Sequence, residues 1–266
     1  MKPEEDYIAI NKASWNKRTA AHVDSEFYNM NSFKAGVSSL NRIELPLLGD
    51  LTNKRVLHLQ CHFGQDTISM ARLGASCVGV DLSDDAIATA QQLAEDEGAN
   101  ATFICSDVYA LPEHLDEKFD VIFTSYGTIG WLPDLNKWAN VVNHFLKPGG
   151  KFVFAEFHPV VWMFDNDFSK IEYRYFTSAP IVETESGTYA DKNAPIEYDC
   201  ITWNHGLGEV VNSLLNKNLK LIDFQEYDYS PYPCFNKVKE VGPKQFRIEH
   251  LDDKIPMVYS LVMVKK

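Results

Sequence analysis

The chain has 266 residues, a length that accommodates one large α/β domain or one domain carrying a sizeable insert. Its composition, 45% hydrophobic and 23% charged, is that of an ordinary globular protein and excludes disordered and fibrous architectures. The net charge of −12 disfavours nucleic acid or an anionic membrane surface as a partner, so the expected ligand is a small molecule.

The apolar segments and the cysteines further limit the kinds of protein that fit this sequence. No apolar run approaches the roughly 18 residues of a membrane span, and the acidic segment 1–6 differs from a signal peptide. The five cysteines are scattered without a C-x-x-C pair, which predicts neither a zinc site nor a disulfide framework. We therefore expect a cytoplasmic protein with no metal.

The N-terminal part of the chain is predicted to be helical, and the part after residue 50 alternates between strands and helices. Residues 7–49 have an amphipathic pattern, which predicts a helical cap or lid over residues 1–49. Apolar periodicity and capping residues then predict strands at 55–59, 76–81, 101–105, 119–124 and 151–156, and helices at 65–73, 84–97 and 135–146. The Lys-Pro-Gly-Gly sequence at 147–150 predicts a turn.

The pattern changes after His158. Residues 159–205 are rich in aromatic side chains and predict an inserted antiparallel piece, followed by a helix at 207–216. Two further strands, at 219–227 and 257–264, are separated by an irregular stretch. The sequence thus predicts a doubly wound, seven-stranded, mostly parallel Rossmann-like sheet that ends in an antiparallel strand pair. Residues 50–158 would form the ligand-binding core, 159–205 an insert over the substrate side, and 206–266 the completion of the sheet.

Acidic residues follow the second and third predicted strands. Asp81 lies close to the distance of about 20 residues past the first strand–helix turn at which nucleotide sites place a ribose-binding acid. A helix cap is the alternative for Asp81, but Ser83 already fills that position. Asp107 ends the third strand, where the amine of an adenine would lie; a simple turn residue is the alternative. The first turn itself, 58–66, retains only Gly64 of the usual glycines.

These segments together resemble the class I S-adenosylmethionine-dependent methyltransferases over roughly residues 40–160 and the last two strands. The resembling motifs are Val56-Leu-His-Leu-Gln-Cys-His-Phe-Gly64, Gly79-Val-Asp81, Ser106-Asp107-Val, Phe119-Asp120-Val-Ile and Leu146-Lys-Pro-Gly-Gly-Lys-Phe152. A narrower resemblance, to uncharacterised bacterial members, lies in that first turn and in the segment Gly-Trp-Leu-Pro-Asp at 130–134. The resemblance implies S-adenosylmethionine as cofactor and a site containing His58, Gln60, Cys61, His62, Gly64, Asp81, Leu82, Asp107, Val108, Thr124 and Ser125.

The first motif departs from the family at three positions. His58 stands where the family has an acid, and Gln60 and His62 replace glycines, so both need either a negative φ or a left-handed conformation. The methionine end of the cofactor is therefore expected to be held differently, with His58 or Gln60 supplying side-chain hydrogen bonds. A buried structural histidine is the alternative for His58. Arg18 is a further candidate, for the cofactor carboxylate, and a solvated surface arginine is its alternative.

The acceptor side of the predicted site lies at the ends of the fourth and fifth strands. His158 is the candidate general base because an imidazole titrates near neutral pH, although a strand-end histidine is as plausible. Tyr126 is a second catalytic candidate, and with Trp131 and Trp162 it would line the substrate pocket. The segment 229–235 predicts either a second lid or a homodimer contact.

The sequence predicts methyl transfer to a small-molecule acceptor, and two other functions stay open. A nicotinamide-dependent oxidoreductase is disfavoured by Gln60 and His62 in the turn and by Asp107. A non-catalytic protein that binds the cofactor or its homocysteine product is the other alternative. Methylation of nucleic-acid amino groups is disfavoured, because the fourth strand ends in Thr124-Ser-Tyr-Gly127 rather than Asn/Asp-Pro-Pro-aromatic.

Overall fold

The structure, a computed structural model, describes residues 6–266, so residues 1–5 of the predicted N-terminal cap lie outside the described part. The strands are β1 Arg55–Leu59, β2 Ser76–Asp81, β3 Ala101–Cys105, β4 Phe119–Ser125, β5 Leu146–Phe157, β6 Ile181–Ser186, β7 Glu197–Thr202, β8 Leu219–Tyr227, β9 Val238–Gly242, β10 Gln245–Ile248 and β11 Val258–Lys265. The α-helices are α1 Tyr7–Val23, α2 Met30–Lys34, α3 Glu44–Leu48, α4 Gln65–Arg72, α5 Asp84–Asp96, α6 Leu135–Phe145 and α7 Leu207–Leu215.

Seven of the strands form one sheet in the order β3-β2-β1-β4-β5-β11-β8. The pairs from β3 to β5 are parallel, whereas β11 runs antiparallel to both β5 and β8. The central strands are buried on both faces, which explains their continuous apolar sequences. The predicted doubly wound sheet with a terminal antiparallel pair is confirmed, and its order differs from that of a two-halved dinucleotide fold.

Helices cover both faces of this sheet. Helices α6 and α7 pack on one face around Leu57, Leu59 and Trp138. The other face is covered by α4 and α5 and by the chain around Leu40 and Leu48. Because successive side chains of a strand point to opposite faces, β1 supplies Val56 to one cluster and Leu57 to the other. Within residues 6–266, no helix combines the length and the apolar character needed to cross a membrane.

Two segments differ from the sequence-based expectation. The predicted turn at 147–150 lies within β5, and the pairing with β4 shifts register between Phe119 and Val121. Gly149 supplies a φ of 75° there, so the irregularity is accommodated inside the strand. The stretch expected to be irregular contains the hairpin β9–β10, whose strands of five and four residues are too short to give a clear apolar period.

Helix α1 bridges the core and the insert, whose strands β6 and β7 form an antiparallel hairpin as predicted. The Asn11 amide donates to the Ile201 carbonyl at 2.8 Å and accepts from the Ile201 N–H at 2.9 Å. On the other side of the helix, Lys12 Nζ lies 3.1 Å from Asp84 Oδ1 on α5. Helix α1 is therefore anchored at both sides of the sheet's carboxyl edge.

Gly79 in β2 is required by close packing. A Cβ at this position would lie 2.6 Å from Phe103 Cδ1 and 2.9 Å from Cys61 Sγ, both in the buried core. We expect Gly79→Ala to lower the free energy of unfolding by about 1–3 kcal/mol, the range for overpacking, measured by urea denaturation. Gly208→Ala in α7 is the matched control, because nothing lies within 4 Å of its added Cβ. Equal stability of the two variants would contradict the packing.

Candidate functional site

A cavity of about 950 Å³ lies at the carboxyl ends of the parallel strands. Its floor is formed by residues that follow β1 to β5, and residues of α1 and of the insert cover it. In parallel α/β sheets, ligands bind at this edge. The cavity is lined by most of the predicted site residues: His58, Gln60, Cys61, His62, Gly64, Asp81, Leu82, Asp107, Val108, Ser125, Tyr126, Trp131, Trp162 and Arg18.

The turn after β1 has an unusual backbone. Gln60 and His62 have φ values of 57° and 51°, so both adopt the left-handed conformation that favours glycine, as does Gly64. The Gln60 amide donates to the Thr128 carbonyl at 2.8 Å, and the His62 N–H donates to Asp81 Oδ2 at 2.8 Å. These contacts hold a conformation that ordinarily costs non-glycine residues free energy. The turn keeps the shape that glycines give it elsewhere while adding two side chains to the cavity.

The histidine that replaces the motif acid is neutral. His58 Nδ1 lies 2.8 Å from Thr67 Oγ1, and burial lowers the pKa of the imidazole to about 3. His58 lines the cavity, but it supplies no charge there. An ammonium group in the cavity would therefore find no ionic partner at this position.

Asp81 connects the turn to the start of α5. Its Oδ1 accepts from the Ser83 N–H at 3.0 Å, and its Oδ2 accepts from the His62 N–H. Burial raises the pKa of Asp81 while the backbone donors oppose this shift. Each carboxylate oxygen has a second lone pair, so Asp81 can accept further hydrogen bonds from a ligand.

Asp107 lies at the neighbouring strand end and is partly exposed. It accepts from the Tyr109 N–H at 3.3 Å, and burial raises its pKa. The acid also raises the pKa of Tyr7, which reaches the same part of the cavity from α1. Asp81 and Asp107 thus lie at adjacent strand ends, as predicted from the sequence.

Arg18 is buried rather than solvated. It is 5% exposed, and its guanidinium lies 5.0 Å from the Trp15 and Trp131 ring centres and 4.3 Å from that of Tyr198. One terminal nitrogen lies 3.3 Å from Glu185 Oε2, while Nε is buried without a partner. The arginine is therefore a fixed positive charge between aromatic rings at the cavity wall.

A pair of histidines beside the turn was not predicted. His22 Nδ1 lies 2.8 Å from His62 Nε2, and burial lowers the pKa of His22 to about 3 and that of His62 well below its usual range. Both rings are therefore neutral, and one donates to the other. His22 Nε2 and His62 Nδ1 are buried without partners, so this wall of the cavity has unused polar atoms.

The structure contradicts the prediction that His158 is a general base. His158 is 3% exposed and does not line the cavity. Its Nδ1 accepts from the Val160 N–H at 3.2 Å, so Nε2 carries the proton and donates to Glu226 Oε1 at 2.9 Å. Both ring nitrogens are occupied by hydrogen bonds at the end of β5, so neither is available to take a proton from a ligand.

Thr124 is the other predicted site residue that the structure does not bring to the cavity. It is fully buried, and its hydroxyl donates to the Leu59 carbonyl at 2.9 Å. It therefore supports the pairing of β4 with β1. The side chain of Ser125, the next residue, points to the opposite face of the strand and reaches the cavity.

The aromatic residues predicted to form the pocket all line the cavity. Tyr126 has a φ of 47°, and its hydroxyl donates to Glu44 Oε2 at 2.6 Å. Trp131 donates from Nε1 to the Gly127 carbonyl at 2.8 Å, and Trp162, 41% exposed, lies edge-on to Phe157. This wall is therefore aromatic, and the Tyr126 hydroxyl within it is bonded to an acid that lies behind the wall.

Glu156 organises the loop that carries these residues. It is 2% exposed at the end of β5, where a charged residue in an apolar strand was the only sequence signal. Its carboxylate accepts hydrogen bonds from the N–H groups of Gly127, Thr128, Ile129 and Phe157 and from the Thr128 hydroxyl. Burial raises its pKa, and the backbone donors oppose the shift. Among residues 6–266, no cluster of His, Cys, Asp and Glu is arranged to hold a metal ion.

The comparisons with known proteins agree with this geometry. A family model described as a methyltransferase domain matches residues 56–150. The ubiquinone biosynthesis O-methyltransferase of Pseudomonas fluorescens is 30% identical over 106 residues, 40% of this chain and 45% of that protein. Its counterpart in Coxiella burnetii is 31% identical over 105 residues, 40% of this chain and 44% of that protein. The chain thus spans less than half the length of these curated relatives.

Solved structures share the fold. An S-adenosylmethionine-dependent methyltransferase from Clostridium acetobutylicum has a TM-score of 0.58 at 15% identity, covering 97% of this chain and 99% of that one. One from Mesorhizobium loti has a TM-score of 0.57 at 22% identity, covering 83% and 94%. Sheet order and cavity therefore define a class I methyltransferase fold. Residues 56–150 match a methyltransferase-domain family, and the resemblance to S-adenosylmethionine-dependent methyltransferases predicted from the sequence is confirmed.

Proposed function

We propose that this protein transfers a methyl group from S-adenosylmethionine to a small-molecule acceptor. The observation that carries the proposal is the cavity at the carboxyl edge of the parallel strands, in the part of the chain that matches a methyltransferase domain, with Asp81 and Asp107 at adjacent strand ends. A geranyl diphosphate C-methyltransferase of the same fold, from Streptomyces coelicolor, was crystallised with S-adenosylhomocysteine. Its TM-score to this chain is 0.57 at 14% identity.

The adenosine end of the cofactor fits the region of the two acids. Asp81 has lone pairs left for the two ribose hydroxyls, and Asp107 can accept from the exocyclic amine of adenine. Leu82 and Val108, the residues next to these acids, also line the cavity and would pack against the adenine ring. When bound, S-adenosylmethionine supplies an activated methyl group on a sulfonium.

The methionine end fits the unpaired polar atoms of the first turn. Gln60 Oε1, His62 Nδ1 and Arg18 Nε are buried without partners on residues that line the cavity. A buried polar atom without a partner is unfavourable, and a zwitterionic ligand group would satisfy it. We propose that Arg18 binds the carboxylate and that the acceptor oxygen of Gln60 takes the place of the missing acid for the ammonium.

The acceptor fits the opposite, aromatic end. Tyr126, Trp131 and Trp162 would hold the acceptor in line with the methyl group, and the cover formed by α1 and the insert would exclude water. The curated relatives are named for oxygen methylation in ubiquinone biosynthesis, which supports a small organic acceptor here. Location in the cytoplasm and a homodimer contact through 229–235 stay predictions; the chain's cysteines are all free, as a reducing compartment requires.

Binding of the cofactor product is the first test. S-Adenosylhomocysteine at 100 times its dissociation constant should raise the free energy of unfolding by about 2.7 kcal/mol, whereas NAD should leave it unchanged. The measurement is thermal or urea unfolding with each compound, with calorimetry for the dissociation constant. Stabilisation by NAD alone would contradict the proposal. Saturable product binding without turnover on a metabolite mixture would instead favour a non-catalytic binding protein.

A further inference from the structure

A buried acid lies directly behind the Tyr126 hydroxyl. Glu44, the first residue of α3, has no exposed surface, and its Oε2 accepts from the Tyr126 hydroxyl at 2.6 Å. The other carboxylate oxygen accepts from the Asn41 N–H. Glu44 itself does not line the cavity, whereas Tyr126 does. The tyrosine therefore connects the cavity to an enclosed carboxylate.

Polar and charged groups from several other parts of the fold surround Glu44. Burial and then Asp66 of α4 raise the pKa of Glu44 to about 7, and the hydrogen bond from the Tyr126 hydroxyl opposes this shift. Burial, Asp66 and Glu44 raise the pKa of Tyr232. Lys244, at the β9–β10 turn, reaches Asn41 Oδ1 at 3.4 Å, and Lys151 of β5 donates to carbonyls at the far end of α3. No cation within 4.0 Å pairs with Glu44 in the described residues. The acid can therefore exchange a proton near neutral pH.

The cavity surface at Tyr126 suits a flat ring. The Tyr126 ring centre lies 5.6 Å from that of Phe157 and 5.2 Å from that of Tyr232, and Phe157 in turn meets Trp162 and Phe235 at 5.7 and 5.1 Å. Aromatic groups pack favourably in such edge-to-face arrangements. Tyr126 also keeps a left-handed backbone with a φ of 47°, an unfavourable conformation that is concentrated at functional sites.

We propose that Tyr126 accepts the proton of an aromatic hydroxyl during methyl transfer and passes its own proton to Glu44. This inference rests on the proposed function and assigns it an acceptor class, a phenol, and a route for the proton. Tyr126 would be the catalytic residue, since its oxygen contacts the acceptor, and Glu44 would act through it. The route replaces the histidine base that the structure contradicts.

The step balances in atoms and charge. The acceptor oxygen forms a bond to the methyl carbon, and the carbon–sulfur bond breaks with its electron pair left on sulfur, which becomes a neutral thioether. The hydroxyl proton moves to the Tyr126 oxygen as the Tyr126 proton moves along its 2.6 Å hydrogen bond to Glu44 Oε2. After the methyl ether leaves, Tyr126 releases a proton to water in the cavity and takes back the proton of Glu44 along the same hydrogen bond. No oxidant or further reactant is needed.

The test measures the binding of 4-fluorophenol to the protein by fluorine NMR titration, with and without S-adenosylhomocysteine. A phenol hydroxyl stays protonated below about pH 9, so any pH dependence between pH 6 and 8 belongs to the protein. The native protein should bind 4-fluorophenol more tightly as pH rises and Glu44 ionises. Ionised Glu44 accepts from Tyr126 and leaves the tyrosine oxygen free to accept from the phenol. Glu44→Gln should remove this pH dependence.

Two variants and a methylated probe separate the hydroxyl contact from general packing. Tyr126→Phe should weaken the binding of 4-fluorophenol about tenfold, because the variant lacks the hydroxyl that hydrogen-bonds the phenol. The affinity for 4-fluoroanisole should stay within twofold of that of the native protein. The matched control is Tyr227→Phe, outside the cavity, where the hydroxyl lies 3.3 Å from Ser260 Oγ. It should change neither affinity.

Each of the following results would contradict the proposal. Equal losses for 4-fluorophenol and 4-fluoroanisole would mean that Tyr126 only packs, and a pH-independent native affinity would exclude Glu44. Failure of the native protein to bind 4-fluorophenol would exclude a phenolic acceptor. If Glu44→Gln does not fold, Tyr126→Phe and the native pH profile still decide. Calorimetry with S-adenosylhomocysteine on the same samples tests the proposed function separately.

Discussion

Glu156→Ala is expected to lower the free energy of unfolding by about 3–5 kcal/mol, the cost of breaking a buried charged network. The substitution removes the acceptor for four backbone N–H groups and one hydroxyl in the loop after β4 and at the end of β5. With Glu156 only 2% exposed, water cannot readily replace the carboxylate. Urea denaturation followed by circular dichroism measures the loss.

Two further variants show what the carboxylate does. Glu95→Ala, on the exposed surface of α5, removes an acid of the same type and should leave stability unchanged. Glu156→Gln keeps one acceptor oxygen but turns an amide toward the loop donors, so its stability should lie between those of Glu156→Ala and the native protein. If Glu156→Ala is as stable as Glu95→Ala, the loop is held by something other than this network.

Asp81→Ala is expected to weaken S-adenosylhomocysteine binding by about 1.5–3 kcal/mol, the range for a hydrogen bond to a charged group. The ribose hydroxyls lose their charged acceptor in this variant. The structure adds a second consequence, because Asp81 also accepts from the N–H groups of His62 and Ser83. Stability should therefore fall as well, by about 1–3 kcal/mol for the donors left unpaired. Calorimetry and urea denaturation measure the two effects on one sample.

The control for this prediction is Asp85, a nearby acid that follows Asp81 in the chain. Asp85→Ala removes an exposed carboxylate in the first turn of α5 and should leave product affinity unchanged. A folded Asp81→Ala protein with native affinity would mean that the ribose binds elsewhere in the cavity. Loss of stability without loss of affinity would assign Asp81 to the turn alone.

Local sequence patterns predicted the sheet because each strand and helix carries its own signal. The central strands β1, β2 and β4 are mostly buried apolar runs, and Ser83 caps α5 as predicted, because its hydroxyl oxygen accepts from the Ala86 N–H. The hairpin β9–β10 escaped prediction because its strands have only five and four residues, too few to show a clear apolar period. Strand length therefore decides which strands can be recognised from the sequence.

The site was predictable where its residues follow directly from strand ends. Asp81 and Asp107 come together because parallel neighbouring strands place their carboxyl ends at one edge, so strand order alone positions the two acids. The role of His158 was not predictable in this way. A strand-end histidine has the same sequence context whether its ring faces a ligand or, as here, Glu226, which lies 68 residues away.

By itself, the sequence determined the seven strands of the main sheet in chain order, the edge of the sheet that carries the site, and the departure of the first turn at His58, Gln60 and His62. Only the tertiary structure decided what these groups contact. It pairs His62 with His22 across 40 residues and Tyr126 with Glu44 across 82 residues. Such contacts join segments with no local periodicity in common, and their geometry exists only after α1 and α3 have packed against the sheet. Ionisation follows the same rule, because the two largest influences on the pKa of Glu44, its burial and the charge of Asp66, arise only in the folded chain.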